Sequence, residues 1–141
     1  LGYLRAKLAA KHLSHSGYRI VTTNFTAPIG YSLSGRQISG EIDLVAYDES
    51  SLPYILAFVE VKTRSDREFA LPQAAVDLRK QRQIIKTAQI YRRLLRLADE
   101  PFRYDVVSVL LQPSSAPQID LLRGYFSEAL FAQSRWQKQG F

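Results

Sequence analysis

Residues 40–62 read GEIDLVAYDESSLPYILAFVEVK, and two pieces of this stretch decide the fold. Residues 41–47 (EIDLVAY) and 54–62 (YILAFVEVK) are rich in β-branched, aromatic and aliphatic side chains, as strands are. The link between them, DESSLP, is made of turn formers, so an antiparallel hairpin is expected. Both pieces are apolar on each face, the mark of strands interior to a sheet. Three charged side chains break that pattern: Asp43 in the first piece, Glu60 and Lys62 in the second. Side chains alternate along a strand, so Glu60 and Lys62 share a face, and so would Glu41 and Asp43.

In a suitable hairpin register Asp43 comes beside Glu60. Two carboxylates a few ångströms apart repel each other unless a cation lies between them. Hard oxygen ligands of this kind suit Mg²⁺ or Mn²⁺. A lysine two residues further on can steady a developing oxyanion or position an attacking water. Together these groups fit metal-assisted phosphodiester hydrolysis. An Asp43–Lys62 salt bridge would answer the same buried charges without chemistry, and Glu-x-Lys on a strand is commonplace. The residues alone leave both readings open.

Outward from this hairpin the pattern alternates between helix and strand. Residues 2–16 carry Leu4, Leu8 and Leu13 near helical spacing, with Gly17 as a stop. Residues 18–25 (YRIVTTNF) read as a strand, and 26–40, with Pro28 and three glycines, as a loop or hairpin. Asp77 is the expected N-cap of a helix running to about residue 98, with Ile84, Ala88, Tyr91 and Leu95 as its apolar stripe. Strands follow at 102–111 and 118–122, and a short helix or frayed end after 127. The order α-β-β-β-α-β-β implies a mixed sheet of about five strands flanked by helices. Residues 1–126 are expected to form one domain and 127–141 a tail, whose Trp136 and Phe141 could pack on the domain or on a partner.

The 141 residues suit a single domain, and 46% hydrophobic content favours a folded core. The absence of cysteine excludes disulfides, zinc–thiolate sites and cysteine nucleophiles. Apolar runs are far too short to cross a bilayer and no secretory pattern opens the sequence, so a cytoplasmic protein without membrane partners is expected.

Net charge is +6, with a pI near 9.7, which favours a polyanionic partner. Arg64 and Arg67 follow the Glu60–Lys62 pair, and Arg79, Lys80, Arg82, Lys86 and Arg93 lie on the next helix. Arg79, Arg82, Lys86 and Arg93 fall within about a third of the helical circumference, where they could hold a phosphate backbone without reading bases. Asp105, inside the apolar strand FRYDVVSVLL, reads as a buried carboxylate paired with an arginine such as Arg103.

GEIDLVA, FVEVKTR, a long basic helix and FRYDVVSV, with LAAKHL and GYRIVTTNF ahead of them, resemble the YraN family of bacterial proteins. That family is thought to be distantly related to Holliday-junction resolvases of the PD-(D/E)XK nuclease superfamily. The resemblance implies a restriction-endonuclease-like three-layer α/β fold. It further implies that Asp43 and Glu60 bind Mg²⁺ or Mn²⁺ and that Lys62 assists the attacking water. Glu41 and Lys80 match recurrent family positions, Glu41 as a possible accessory. By the same resemblance the protein would be a homodimeric endonuclease of branched or structured DNA, in recombination or repair. Two departures stand out: the loop from Thr26 to Ser39 is longer than the family's usual link, which implies an insertion beside the active face, and the glutamate that the family carries in the first helix is Ala6 here. Ala6 keeps a second expectation alive, a nuclease-fold DNA-binding module without turnover.

Overall fold

The computed structural model describes residues 2–65 and 76–131. The described elements are α1 (Gly2–His15), β1 (Tyr18–Tyr31), β2 (Gln37–Asp48), β3 (Ile55–Ser65), α2 (Leu78–Leu94), β4 (Phe102–Leu111) and β5 (Gln118–Phe126). The five strands form one sheet in chain order. All neighbours are antiparallel except β3 and β4, which run parallel because the chain returns through α2.

The two helices cover opposite faces. On one face Ala9 and Leu13 of α1 pack with Tyr18, Leu44, Ala46, Ala57, Val59, Val61, Val107 and Val109. On the other, Ile84, Ile85, Ala88 and Tyr91 of α2 pack with Ile42, Val45, Leu56, Phe58, Tyr104 and Val106. Sequence alternation thus becomes layering: β3 sends Phe58 towards α2 and Val59 and Val61 towards α1. Phe58 meets Tyr91 edge-on at 5.7 Å, and Tyr91 meets Phe25 edge-on at 5.0 Å.

Three boundaries differ from the sequence expectation. Residues 26–40 form the hairpin of the two expected alternatives, with the strands longer than expected: β1 reaches Tyr31 and β2 begins at Gln37. Pro28 is tolerated there because β1 is an edge strand, and register shifts at Ile20/Thr22 and Pro28/Gly30 absorb the irregularity. Helix α2 stops at Leu94 rather than near residue 98. Arg96 turns left-handed (φ 56°), and the N–H of Leu97 bonds back to the carbonyl of Arg92 at 2.7 Å, closing the helix end. Leu95 is therefore a cap residue, exposed, and not part of the buried stripe. Strand β5 continues to Phe126, whose ring stacks on Tyr104 at 4.8 Å.

At Gly40 the side chain of Thr87 in α2 presses directly against β2. A Cβ built on it would overlap the Oγ1 of Thr87, a hydroxyl already bonded to the carbonyl of Gln83. Gly40→Ala is expected to destabilise the protein by about 1–3 kcal/mol through overpacking. Thermal melts of a Gly40→Ala/Thr87→Ala cycle check this: Thr87→Ala should recover most of the loss.

Candidate metal and nucleic-acid site

The β2–β3 ladder runs from Asp48↔Ile55 to Leu44↔Val59 and stops there. Beyond it, β3 continues along β4 to Ser65↔Leu111, while β2 continues with β1 to Tyr31↔Gln37. The sheet forks at Asp43. The N–H of Val61 has no ladder partner at the fork, and Oδ2 of Asp43 takes it at 2.8 Å. That bond holds Asp43 beside Glu60, the neighbour the register implies.

The strand also rolls over at this point. Leu44 packs on the α1 face and Ile42 on the α2 face, although a regular strand would put both on one side. Asn24, across the β1–β2 ladder, is left-handed (φ 52°). Gly40 and Ile42 both face α2, so Glu41 between them is exposed and turned away from the pair. The shared face expected for Glu41 and Asp43 is lost in this roll.

Glu60 is only 8% exposed, and its Oε2 has no hydrogen-bond partner. Burial, and next the charge of Asp43, push its pKa up to about 8, while Lys80 and Lys62 pull it down. Lys62 is exposed on the same face of β3, followed by Arg64, whose Nε donates to Ser108 Oγ at 3.3 Å. Lys80 sits in the first turn of α2, where Asp77 caps the helix by accepting the Lys80 N–H at 2.9 Å. The ion pairs among the described residues do not join Asp43 to Lys62, so that structural alternative has no support.

Could this pair hold a divalent cation? Among the described residues no group of three His, Cys, Asp or Glu side chains converges. Mg²⁺, however, commonly binds through one or two carboxylates and keeps waters or phosphate oxygens elsewhere. A buried, unpartnered Glu60 oxygen beside a pinned Asp43 fits that mode.

The raised pKa has a stability consequence. Glu60 is ionised in the unfolded chain above about pH 4.5 but stays protonated in the metal-free fold until about pH 8. The stability it contributes is complete below the lower value and lost as pH rises through the upper one. Metal-free protein is therefore expected to melt progressively lower from pH 5 to pH 9, and Glu60→Gln to flatten the trend. Calorimetry in EDTA would check both. A pH-independent wild type would contradict the burial argument.

Arg79, Arg82 and Lys86 are exposed on α2 as expected, as is Arg93, and Lys80 is half-buried. The guanidinium of Arg82 lies 5.3 Å from the Phe131 ring centre. Arg92 is instead committed internally, to the Ala98 carbonyl at 3.0 Å and over the Phe102 ring at 3.7 Å. Arg67, Trp136 and Phe141 lie outside the described residues.

Asp105 is fully buried on the α1 side of the sheet, paired with Arg103 as the sequence suggests. The sequence offers no sign of the rest of its network. Arg103 also reaches Asp48 at 2.7 Å, Tyr18 donates to Asp105 at 2.6 Å, and the Gly124 N–H adds a bond at 2.9 Å. Glu128 was equally illegible: it accepts from Gln89 and Tyr104, at 2.8 and 3.1 Å, and joins residues after β5 to α2.

Helix, mixed five-stranded sheet and helix, with the charged pair at a fork between central strands, define an α/β protein consistent with the three-layer restriction-endonuclease-like fold. Residues 6–109 match the family described as Uncharacterised protein family UPF0102, the YraN family, and the chain belongs to it. A UPF0102 protein of Trichlorobacter lovleyi is 40% identical over 129 residues, covering 92% of this chain and 91% of the relative. One from Caldanaerobacter subterraneus is 38% identical over 113 residues, covering 80% and 81%. One from Chlorobium limicola is 33% identical over 140 residues, covering 99% and 95%. Among the described residues no helix is long and apolar enough to cross a membrane.

Proposed function

We propose that the protein is a divalent-metal-dependent endonuclease that hydrolyses phosphodiester bonds in structured or branched DNA, in recombination or repair. The observation that carries this reading is the buried, unpartnered Glu60 oxygen beside Asp43. A stable fold rarely keeps two adjacent carboxylates inside a sheet without a compensating cation or a shared proton. Asp43 and Glu60 would hold Mg²⁺ or Mn²⁺, which supplies Lewis-acid stabilisation of the phosphate. Lys62, exposed next to the pair, would orient the attacking water and offset charge on the phosphoryl oxygens. In the hydrolysis the water oxygen bonds to phosphorus, one P–O ester bond breaks, and the leaving oxygen takes a proton. Arg64, Arg79, Lys80, Arg82 and Lys86 would bind the flanking backbone, a contact that weakens with salt. Arg67 belongs to this set by sequence alone. A homodimer, presenting two such sites to a branch, is part of the reading.

A second reading, a DNA-binding module without turnover, is favoured by Ala6 and by the lack of a third converging ligand among the described residues. One experiment separates them: incubate labelled four-way-junction and plain duplex DNA with the protein in Mg²⁺, Mn²⁺ or EDTA. Metal-dependent cutting supports the enzyme. Salt-sensitive binding without cutting supports the module, and neither binding nor cutting would overturn both.

A further inference from the structure

The ribbon formed by β1 and β2 beyond the fork is the largest feature that the proposed chemistry leaves unused. From Phe25↔Ile42 to Tyr31↔Gln37 it runs about 20 Å at ordinary strand rise. It forms one wall of the fork, and the other wall is the half of β3 that carries Glu60, Lys62 and Arg64. Its tip exposes two large apolar side chains, Tyr31 at 72% and Leu33 completely. Around them stand Ser32, Ser34, Gly35 and Arg36, and residues 26–40 contain no acid. Serine hydroxyls bond to one another across the tip, and Ser32 Oγ accepts the Arg36 N–H, so the turn has internal bonds of its own.

We infer that this ribbon is a wedge that stacks on unpaired or unstacked bases of a nucleic acid, and so gives the fork its preference for branched over plain duplex DNA. The inference rests on the proposed function for its partner. A flat aromatic and an aliphatic side chain at the end of a projecting ribbon suit insertion between bases. The cationic Arg36 and absence of acids suit a phosphate backbone. A second copy of the chain fits the tip less well. Two side chains offer at most about 400 Å², against about 800 Å² per partner in a stable interface. Because β2 leads from the tip directly to Asp43, a base held at the tip places the adjoining backbone along the fork.

The test uses the full chain with Asp43→Asn to prevent cutting, with and without Tyr31→Ala/Leu33→Ala. Affinity is measured for a four-way junction and a plain duplex of equal length, with 2-aminopurine at the branch point as a stacking reporter. The tip variant is expected to bind the junction about tenfold or more weaker, to bind duplex within about twofold, and to lose the 2-aminopurine response. Both side chains are exposed, so an unchanged melting temperature is expected and excludes misfolding. Equal loss on both DNAs, or no loss on either, overturns the wedge while leaving the nuclease reading standing. So does a tip variant that changes only the oligomeric state in sedimentation. Protein that binds neither DNA even with its tip intact overturns both readings.

Discussion

Asp43→Asn is expected to lower metal-dependent cleavage by at least about 100-fold while the protein stays folded. Asparagine keeps an oxygen in place of Oδ2, so the Val61 N–H at the fork retains its acceptor. What it removes is the negative charge that, with Glu60, would attract the cation. The same loss relieves the repulsion on Glu60, whose raised pKa owes its second-largest contribution to Asp43. The variant should therefore melt slightly higher than wild type in EDTA near pH 8, and gain less from added Mn²⁺. Activity and calorimetry must move in opposite directions. A variant that loses cutting only because it unfolds would show both falling, and a variant that still cuts would remove Asp43 from the site. Lys62→Ala should lower turnover with little change in Mn²⁺ stabilisation, since Lys62 holds no ligand oxygen.

Removing Asp105 is expected to have the largest effect on stability, with no direct effect on the chemistry. Its carboxylate accepts from Arg103 Nε and Nη2 at 2.7 and 2.9 Å, from the Tyr18 hydroxyl and from the Gly124 N–H. Asp105→Ala leaves Arg103 and Tyr18 with donors facing a void. Breaking a buried pair in this way costs about 3–5 kcal/mol, roughly 10–20 °C in melting temperature for a domain of this size. Asp48 limits the damage, because Arg103 keeps its second partner there. Burial disfavours the Asp48 charge, but Ser50 and Arg103 overcome this and hold its pKa at about 2. The stability Asp48 contributes is present above about pH 3.8 and fades only as pH falls through 2. At pH 5 the variant should thus be no worse, relative to wild type, than at pH 7. A melting temperature within 3–4 °C of wild type would mean that the network contributes little.

The strand pieces at 41–47 and 54–62, the basic helix and the strand at 102–111 were legible because local composition and periodicity report on burial. So was the proximity of Asp43 and Glu60, since a short hairpin leaves few registers. Arg103 as the partner of Asp105 was legible for a similar reason: the two lie on one face of one strand. Other features depend on contacts distant in the chain. The fork exists because β2 leaves β3 at Asp43, and no local signal marks where a ladder ends. The roll that turns Glu41 outwards lies opposite the left-handed Asn24 of the neighbouring strand, a contact distant in the chain. The residues at 26–40 left a loop and a hairpin open because their Gly, Pro and Ser content is that of turns; the edge position, which tolerates them in a strand, makes them a hairpin. Side-chain chemistry and its approximate grouping were written in residue order. An interior place for Glu60 was legible from its apolar neighbours; that its Oε2 is left without a hydrogen-bond partner came only from the tertiary packing.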